Sequence, residues 1–130
     1  MPLTNVTPQD IESVSKQLGR PARDIVAIAA RCVCGNPVVV QTKPRLEDGT
    51  PFPTVYYLTL PAATSAVSTL EATGLMIELQ NRLGEDDDLA QSYKIAHQSY
   101  LEDRAKLGDV EEIAGISAGG MPTRVKCLHS

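Results

Sequence analysis

Two apolar runs, Ile25–Ala30 and Val38–Thr42, stand close together, with Val33-Cys34-Gly35-Asn36 in the segment between them. The second run is rich in valine, which suits a pleated surface. The first is too short, and too soon followed by Gly35 and Pro37, for a regular amphipathic helix, although helix is its alternative reading. Gly and Asn supply the backbone freedom of a tight reversal, so the runs form a hairpin and the rest of the chain must be built around it. Asp48-Gly49 marks a second reversal, leading into Val55-Tyr56-Tyr57-Leu58-Thr59-Leu60 as a third strand with one tyrosine on each face. Pro44, Pro51 and Pro53 cannot donate to a ladder and belong at the mouth of that loop. Arg45 and Asp48 beside Gly49 read as a pair that stabilises it.

Helical spacing brackets this meander. Thr7 caps a first helix, with Pro8 in the first turn, Asp10 in the capping-box position, Ile11, Val14 and Leu18 as the apolar stripe and Gly19 as the stop. After Pro61, the residues Ala63, Ala66, Val67 and Leu70 share a face, Gly74 interrupts, and Leu75, Met76, Leu79 and Leu83 give a second stripe that closes near Gly84. Glu85 to Asp88 offer acidic caps to a longer helix. Leu89, Tyr93, Ala96, His97, Tyr100, Leu101, Arg104 and Leu107 line one side of it, and Glu102 and Lys106 pair on the other. The tail passes through Gly119-Gly120-Met121-Pro122-Thr123 into what reads as the first turn of another helix. This order predicts an α+β fold, a three-stranded antiparallel meander packed against about four helices.

A chain of 130 residues, 42% hydrophobic and 22% charged, suits one domain over 1–130 and excludes a disordered, collagenous or coiled-coil protein. No apolar run reaches the roughly 18 residues of a membrane span, and Met1-Pro2-Leu3-Thr4-Asn5 is no basic and apolar leader, so a cytoplasmic protein is expected. A net charge of −4 gives no general electrostatic reason for a nucleic acid partner.

Three groups of residues carry candidate chemistry. Gly119, Gly120, Thr123, Arg124 and Lys126 surround the expected helix start, where free amides suit a phosphate or carboxylate, with Arg124 as bidentate ligand and Lys126 as point charge. Cys32 and Cys34 with Cys127 and His129 match in number the ligands of tetrahedral zinc, provided the fold joins the two pairs. Residues 127 and 129 would point about 200° apart on a helix, so they could chelate one ion only from extended chain. Reduced thiols in ordinary packing are the simpler reading; among disulfides, Cys32 to Cys127 is sterically easier than Cys32 to Cys34. His97 is an acid–base candidate if a cleft opens beside it, and otherwise a hydrogen-bonded core histidine.

The segments Arg31-Cys32-Val33-Cys34-Gly35, Pro44-Arg45-Leu46-Glu47-Asp48-Gly49-Thr50-Pro51-Phe52-Pro53-Thr54 and Gly119-Gly120-Met121-Pro122-Thr123-Arg124-Val125-Lys126-Cys127-Leu128-His129 resemble the actinobacterial family called Domain of Unknown Function 501, over residues 8–129. The family has no established biochemical activity. What the resemblance implies is context, since its genes typically lie beside those of a septum-formation initiator and an exopolyphosphatase. It also implies a C-terminal extension, with a further His, that this chain lacks after Ser130, and a Cys or other polar residue where Leu60 stands. The leading expectation is a binding or accessory protein that recognises a phosphate-type anion or a protein partner through the Gly119–Lys126 loop. One alternative is an enzyme acting on a phosphorylated small molecule with His97 or a Cys in the chemistry. Another is an interaction module stabilised by a metal such as zinc and linked to cell division or polyphosphate metabolism.

Overall fold

Asp10 does more than its capping position requires. Its Oδ2 accepts from the Thr7 amide at 3.0 Å while Thr7 Oγ1 accepts from the Asp10 amide at 3.1 Å, and this reciprocal box opens α1 (Pro8–Leu18). Both carboxylate oxygens also receive the Arg31 guanidinium, Nη1 on Oδ1 and Nη2 on Oδ2 at 2.7 Å each. Arg31 is the last residue of β2 (Ile25–Arg31), so one ion pair fixes the start of the helix to the sheet. The same guanidinium donates to Thr4 Oγ1 and to the Gly35 carbonyl, holding the short strand β1 (Thr4–Asn5) and the turn beyond β2. The computed structural model describes residues 2–130.

The meander expected from the sequence is present, with β1 added at its edge. β2, β3 (Pro37–Thr42) and β4 (Tyr56–Leu58) run antiparallel in the spatial order β1-β2-β3-β4. β1 gives no sequence signal because two residues show no alternation. On one sheet face Ile28 pairs with Val40, and both meet Val14 of α1 in a buried cluster. Gln41 and Tyr56 pair on the other face, which receives the later helices.

These are α2 (Pro61–Ala72), α3 (Leu75–Glu85) and α4 (Asp87–Ala105), and with α1 they complete an α+β fold. Gly74 splits the first two at φ 84°, and neither contains a fully buried residue. α4 supplies the buried stripe that its spacing predicts, through His97, Tyr100 and Arg104. Tyr100 meets Tyr56 edge-on at 5.5 Å between centroids, and its hydroxyl accepts from the Tyr56 amide at 3.1 Å. The Tyr56 hydroxyl donates to Asp103 at 2.9 Å; burial first, then Asp103, push that phenol up to about 12. Lys106 pairs with Asp103 at 3.6 Å rather than with the expected Glu102.

Arg104 is 6% exposed and makes no ion pair among the described residues. Its guanidinium donates instead to the carbonyls of Pro53 at 3.0 Å, Ile113 at 2.8 Å, and Ile116. Burial pulls its pKa down. One side chain thereby joins α4 to the segment entering β4 and to the tail, which begins with a single 3-10 turn at Glu111–Ile113.

The helix expected after Gly119-Gly120 does not form. Both glycines hold positive φ, 63° and 89°, the Met121–Pro122 peptide is cis, and the chain folds back as a loop closed by Arg124 N–H to Gly120 O at 2.9 Å and Lys126 N–H to Gly119 O at 2.7 Å. Residues 124–130 then run without helix or strand. The His129 carbonyl accepts from the Leu58 amide at 3.1 Å, which covers part of the outer edge of β4.

The ion pair makes acid stability testable. Hydrogen bonding from Arg31 holds the Asp10 carboxyl far below the usual carboxylate range. A depressed acid contributes its full stabilisation at neutral pH and loses it as the pH falls below about 4. Asp10→Asn should cost roughly 2 kcal/mol at about pH 7 and flatten the loss of stability as the pH falls from about 4 to about 2, both read from urea midpoints.

Candidate functional site

α1 covers only part of its sheet face. Beyond its end, the 19–24 segment and the β3–β4 loop enclose an open cleft of about 920 Å³, within the size range of small-molecule sites. Val14, Leu18, Ile25 and Val40 give it an apolar floor, and Phe52 closes one wall. Thr59 comes two residues after Tyr57 and lines the same cleft, as alternation requires. It is 2% exposed, and its Oγ1 has no hydrogen-bond partner among the described residues. A buried hydroxyl left so costs about 1–3 kcal/mol.

Charge gathers at the mouth. Asp24 gives an oxygen to the Glu47 amide at 3.1 Å, and Asp48 gives one to the Thr50 amide at 3.0 Å. Hydrogen bonds from Thr50 hold the Asp48 carboxyl below its ordinary value, with a smaller pull from Arg23. Glu47 stays exposed, while Arg20 and Arg23 are exposed cations with no ion pair among the described residues. Asp24 is the one described non-glycine residue with positive φ, 58°, and its carbonyl takes the Lys43 amide at 3.0 Å. A strained residue thus ties the two walls of the cleft together. Arg45 does not pair with Asp48; its guanidinium grips Glu112 at 2.7 and 2.8 Å and the Gly49 carbonyl at 2.8 Å, joining the loop to the 3-10 turn.

The sequence-predicted anion residues lie together in the tail loop, but the backbone there serves the fold. A Cβ on Gly119 would stand 2.9 Å from the Cys127 carbonyl oxygen, and one on Gly120 would stand 2.8 Å from that of Arg124. The glycines permit a close chain crossing. The amides of Met121, Arg124 and Lys126 bond within the loop, and the Val125 amide donates to Gln80 Oε1. Thr123, Arg124 and Lys126 are exposed, and neither cation makes an ion pair among the described residues. His97 is the hydrogen-bonded core histidine: it is 7% exposed, with Nδ1 2.7 Å from the buried Ser117 Oγ.

The four proposed metal ligands do not act together. Cys32 and Cys34 form a disulfide with each other, where free thiols were the simpler expectation and Cys32 to Cys127 the easier bond. The hairpin turn explains this, since it folds the two Cα atoms to 5.3 Å, inside the ordinary disulfide range. Cys127 is free. It stands with His129 and Glu71 of α2, and one ligand atom from each lies within 4.8 Å of the others. The tail is not helical there and bends at Leu128, so Cys127 and His129 can face the same point.

Sequence reading missed Thr59, Arg20 and Glu71. A polar residue on the Tyr57 face of an apolar strand is the signal that marks Thr59; Arg20 and Glu71 have no local signal, because their neighbours come from distant segments.

Fold and cleft together describe a small α+β protein with a ligand-sized concavity on an open sheet face. The family described as Protein of unknown function (DUF501) matches residues 28–130, and the chain belongs to it. The match begins inside β2, so α1 lies outside it. No curated protein and no solved structure matches the chain. No helix among the described residues is long and apolar enough to cross a membrane.

Ser117→Ala should leave the buried His97 Nδ1 unpaired and cost about 1–2 kcal/mol by urea unfolding. An unchanged midpoint would show that the imidazole does not depend on Ser117.

Proposed function

We propose that the protein is a cytoplasmic binding module for a small amphipathic anion, an apolar body carrying a carboxylate or phosphate, seated in the sheet-face cleft. The observation that carries this reading is the Thr59 hydroxyl, 2% exposed and without a partner among the described residues, in a cleft otherwise floored by aliphatic side chains. An apolar body replaces water on Val14, Leu18, Ile25 and Val40, and a turn of the Thr59 side chain into the cleft would let its buried hydroxyl meet a polar atom near the head. Arg20 suits the anionic end, since Asp24 and Asp48 already give an oxygen each to backbone amides. The exposed Arg124 and Lys126 support a second reading, in which a phosphate-type anion or an acidic partner meets the tail loop.

Calorimetric titration with octyl phosphate, octanoate and inorganic phosphate tests both. One saturable site for octyl phosphate or octanoate is expected, weakened at least about fivefold by Thr59→Val and by Arg20→Ala. Thr59→Val should leave the melting temperature unchanged or raised, because it removes an unpaired hydroxyl. No saturable binding, or equal binding by both variants, would rule out the cleft. Inorganic phosphate bound by the wild type and lost in Arg124→Ala would move the site to the tail loop.

A further inference from the structure

Glu71, Cys127 and His129 meet where the tail crosses α2, away from the cleft. His129 Nδ1 stands 2.6 Å from Glu71 Oε1 and 3.8 Å from Cys127 Sγ. The other ring nitrogen, Nε2, faces Ser68 Oγ at 3.2 Å and the Thr64 carbonyl at 3.4 Å. A carbonyl only accepts, so an Nε2 hydrogen would serve Thr64, and Nδ1 is then able to offer its lone pair on the side of the carboxylate and the sulfur. Glu71 Oε1 is buried and has no hydrogen bond among the described residues, although Nδ1 stands close to it. Three electron-pair donors therefore converge on one point, and an electrophile belongs there.

We propose that Glu71, Cys127 and His129 form a site for a divalent transition metal of the zinc type. A carboxylate oxygen, a thiolate and an imidazole nitrogen are the ordinary donors of that ion. The imidazole already has its outer nitrogen on a carbonyl, the arrangement that orients a metal-bound histidine. Around a tetrahedral ion, donors of these types stand roughly 3.3–3.6 Å apart. The sulfur-to-nitrogen separation is close to that, whereas the Glu71 oxygen, 2.6 Å from Nδ1, must move outward to take its place on the ion. Binding releases the Cys127 proton to solvent and leaves a fourth position for water or an exogenous anion. The metal would pin the tail to α2, a helix with no fully buried residue of its own. This site differs from the Cys32, Cys34, Cys127 and His129 set expected from the sequence, because the disulfide removes two of those thiolates.

Cobalt(II) titration of tag-free, chelator-treated protein tests the proposal. The expected result is one equivalent bound, with a thiolate-to-cobalt charge-transfer band and the visible bands of tetrahedral cobalt. Zinc should displace it and raise the melting temperature. Cys127→Ser should abolish the charge-transfer band, and His129→Gln and Glu71→Gln should each weaken zinc by about tenfold or more, with circular dichroism confirming that each variant is folded. Cys32→Ser/Cys34→Ser should bind as the wild type does. Absence of saturable binding would overturn the proposal, as would a band that survives Cys127→Ser or disappears with Cys32→Ser/Cys34→Ser. The cleft variants Thr59→Val and Arg20→Ala should bind zinc normally, so this site stands or falls separately from the cleft.

Discussion

A guanidinium without a carboxylate holds this protein together on one face of its sheet. Arg104 reaches from α4 to the carbonyls of Pro53, Ile113 and Ile116, in two segments, the entry to β4 and the tail, that no regular hydrogen-bonding ladder joins. Burying a cation this way is tolerable because each carbonyl dipole supplies part of a counter-charge, and a charge-assisted bond is worth about twice a neutral one. With those segments fixed, Val55, Tyr100 and Ala118 close into one apolar cluster. The tail then runs on toward β4, where His129 accepts from Leu58. Both the anion-loop residues and the Cys127–His129 pair owe their position to a contact on a different helix.

The opposite face is organised by another arginine. Arg31 joins Asp10, Thr4 and Gly35, so the head of α1, the edge strand and the hairpin turn share one bidentate ion pair. That anchoring fixes α1 at its N-terminal end and leaves its C-terminal end beside the cleft. The cleft exists because α1 is short: a helix of 11 residues spans about 16 Å and leaves part of the sheet face uncovered. The two faces are thus held by separate polar anchors, and each has its own candidate site.

The parts of the fold legible in the sequence were those written in local spacing. Thr7 and Asp10, the valines of β3, Gly74, and the His97, Tyr100 and Arg104 stripe each declare an element through neighbours a few residues away. The tail was misread because Gly119-Gly120 followed by Pro122 resembles a cap and first turn. What requires glycine there is a chain crossing with Arg124 and Cys127, which no local pattern encodes. Two of the three residues in the cluster beside α2, Cys127 and His129, are close in sequence and were legible as a pair. Glu71 was not, because on α2 it looks like any helix-surface carboxylate until the tail is laid against it. The arginines showed the same limit, since the sequence gives Arg31 and Arg104 charge and helix or strand position but not the backbone groups they would meet.

Amide hydrogen exchange, compared between the wild type and Arg104→Met, tests the dependence on that buried cation most directly. Protection at Leu58 and Lys126, whose amides bond to the tail and within its loop, should fall sharply in the variant, while Ala27 and Val40 in the β2–β3 ladder stay protected. Unchanged protection at Leu58 and Lys126 would contradict the tether, and equal loss across the whole sheet would contradict two faces anchored separately.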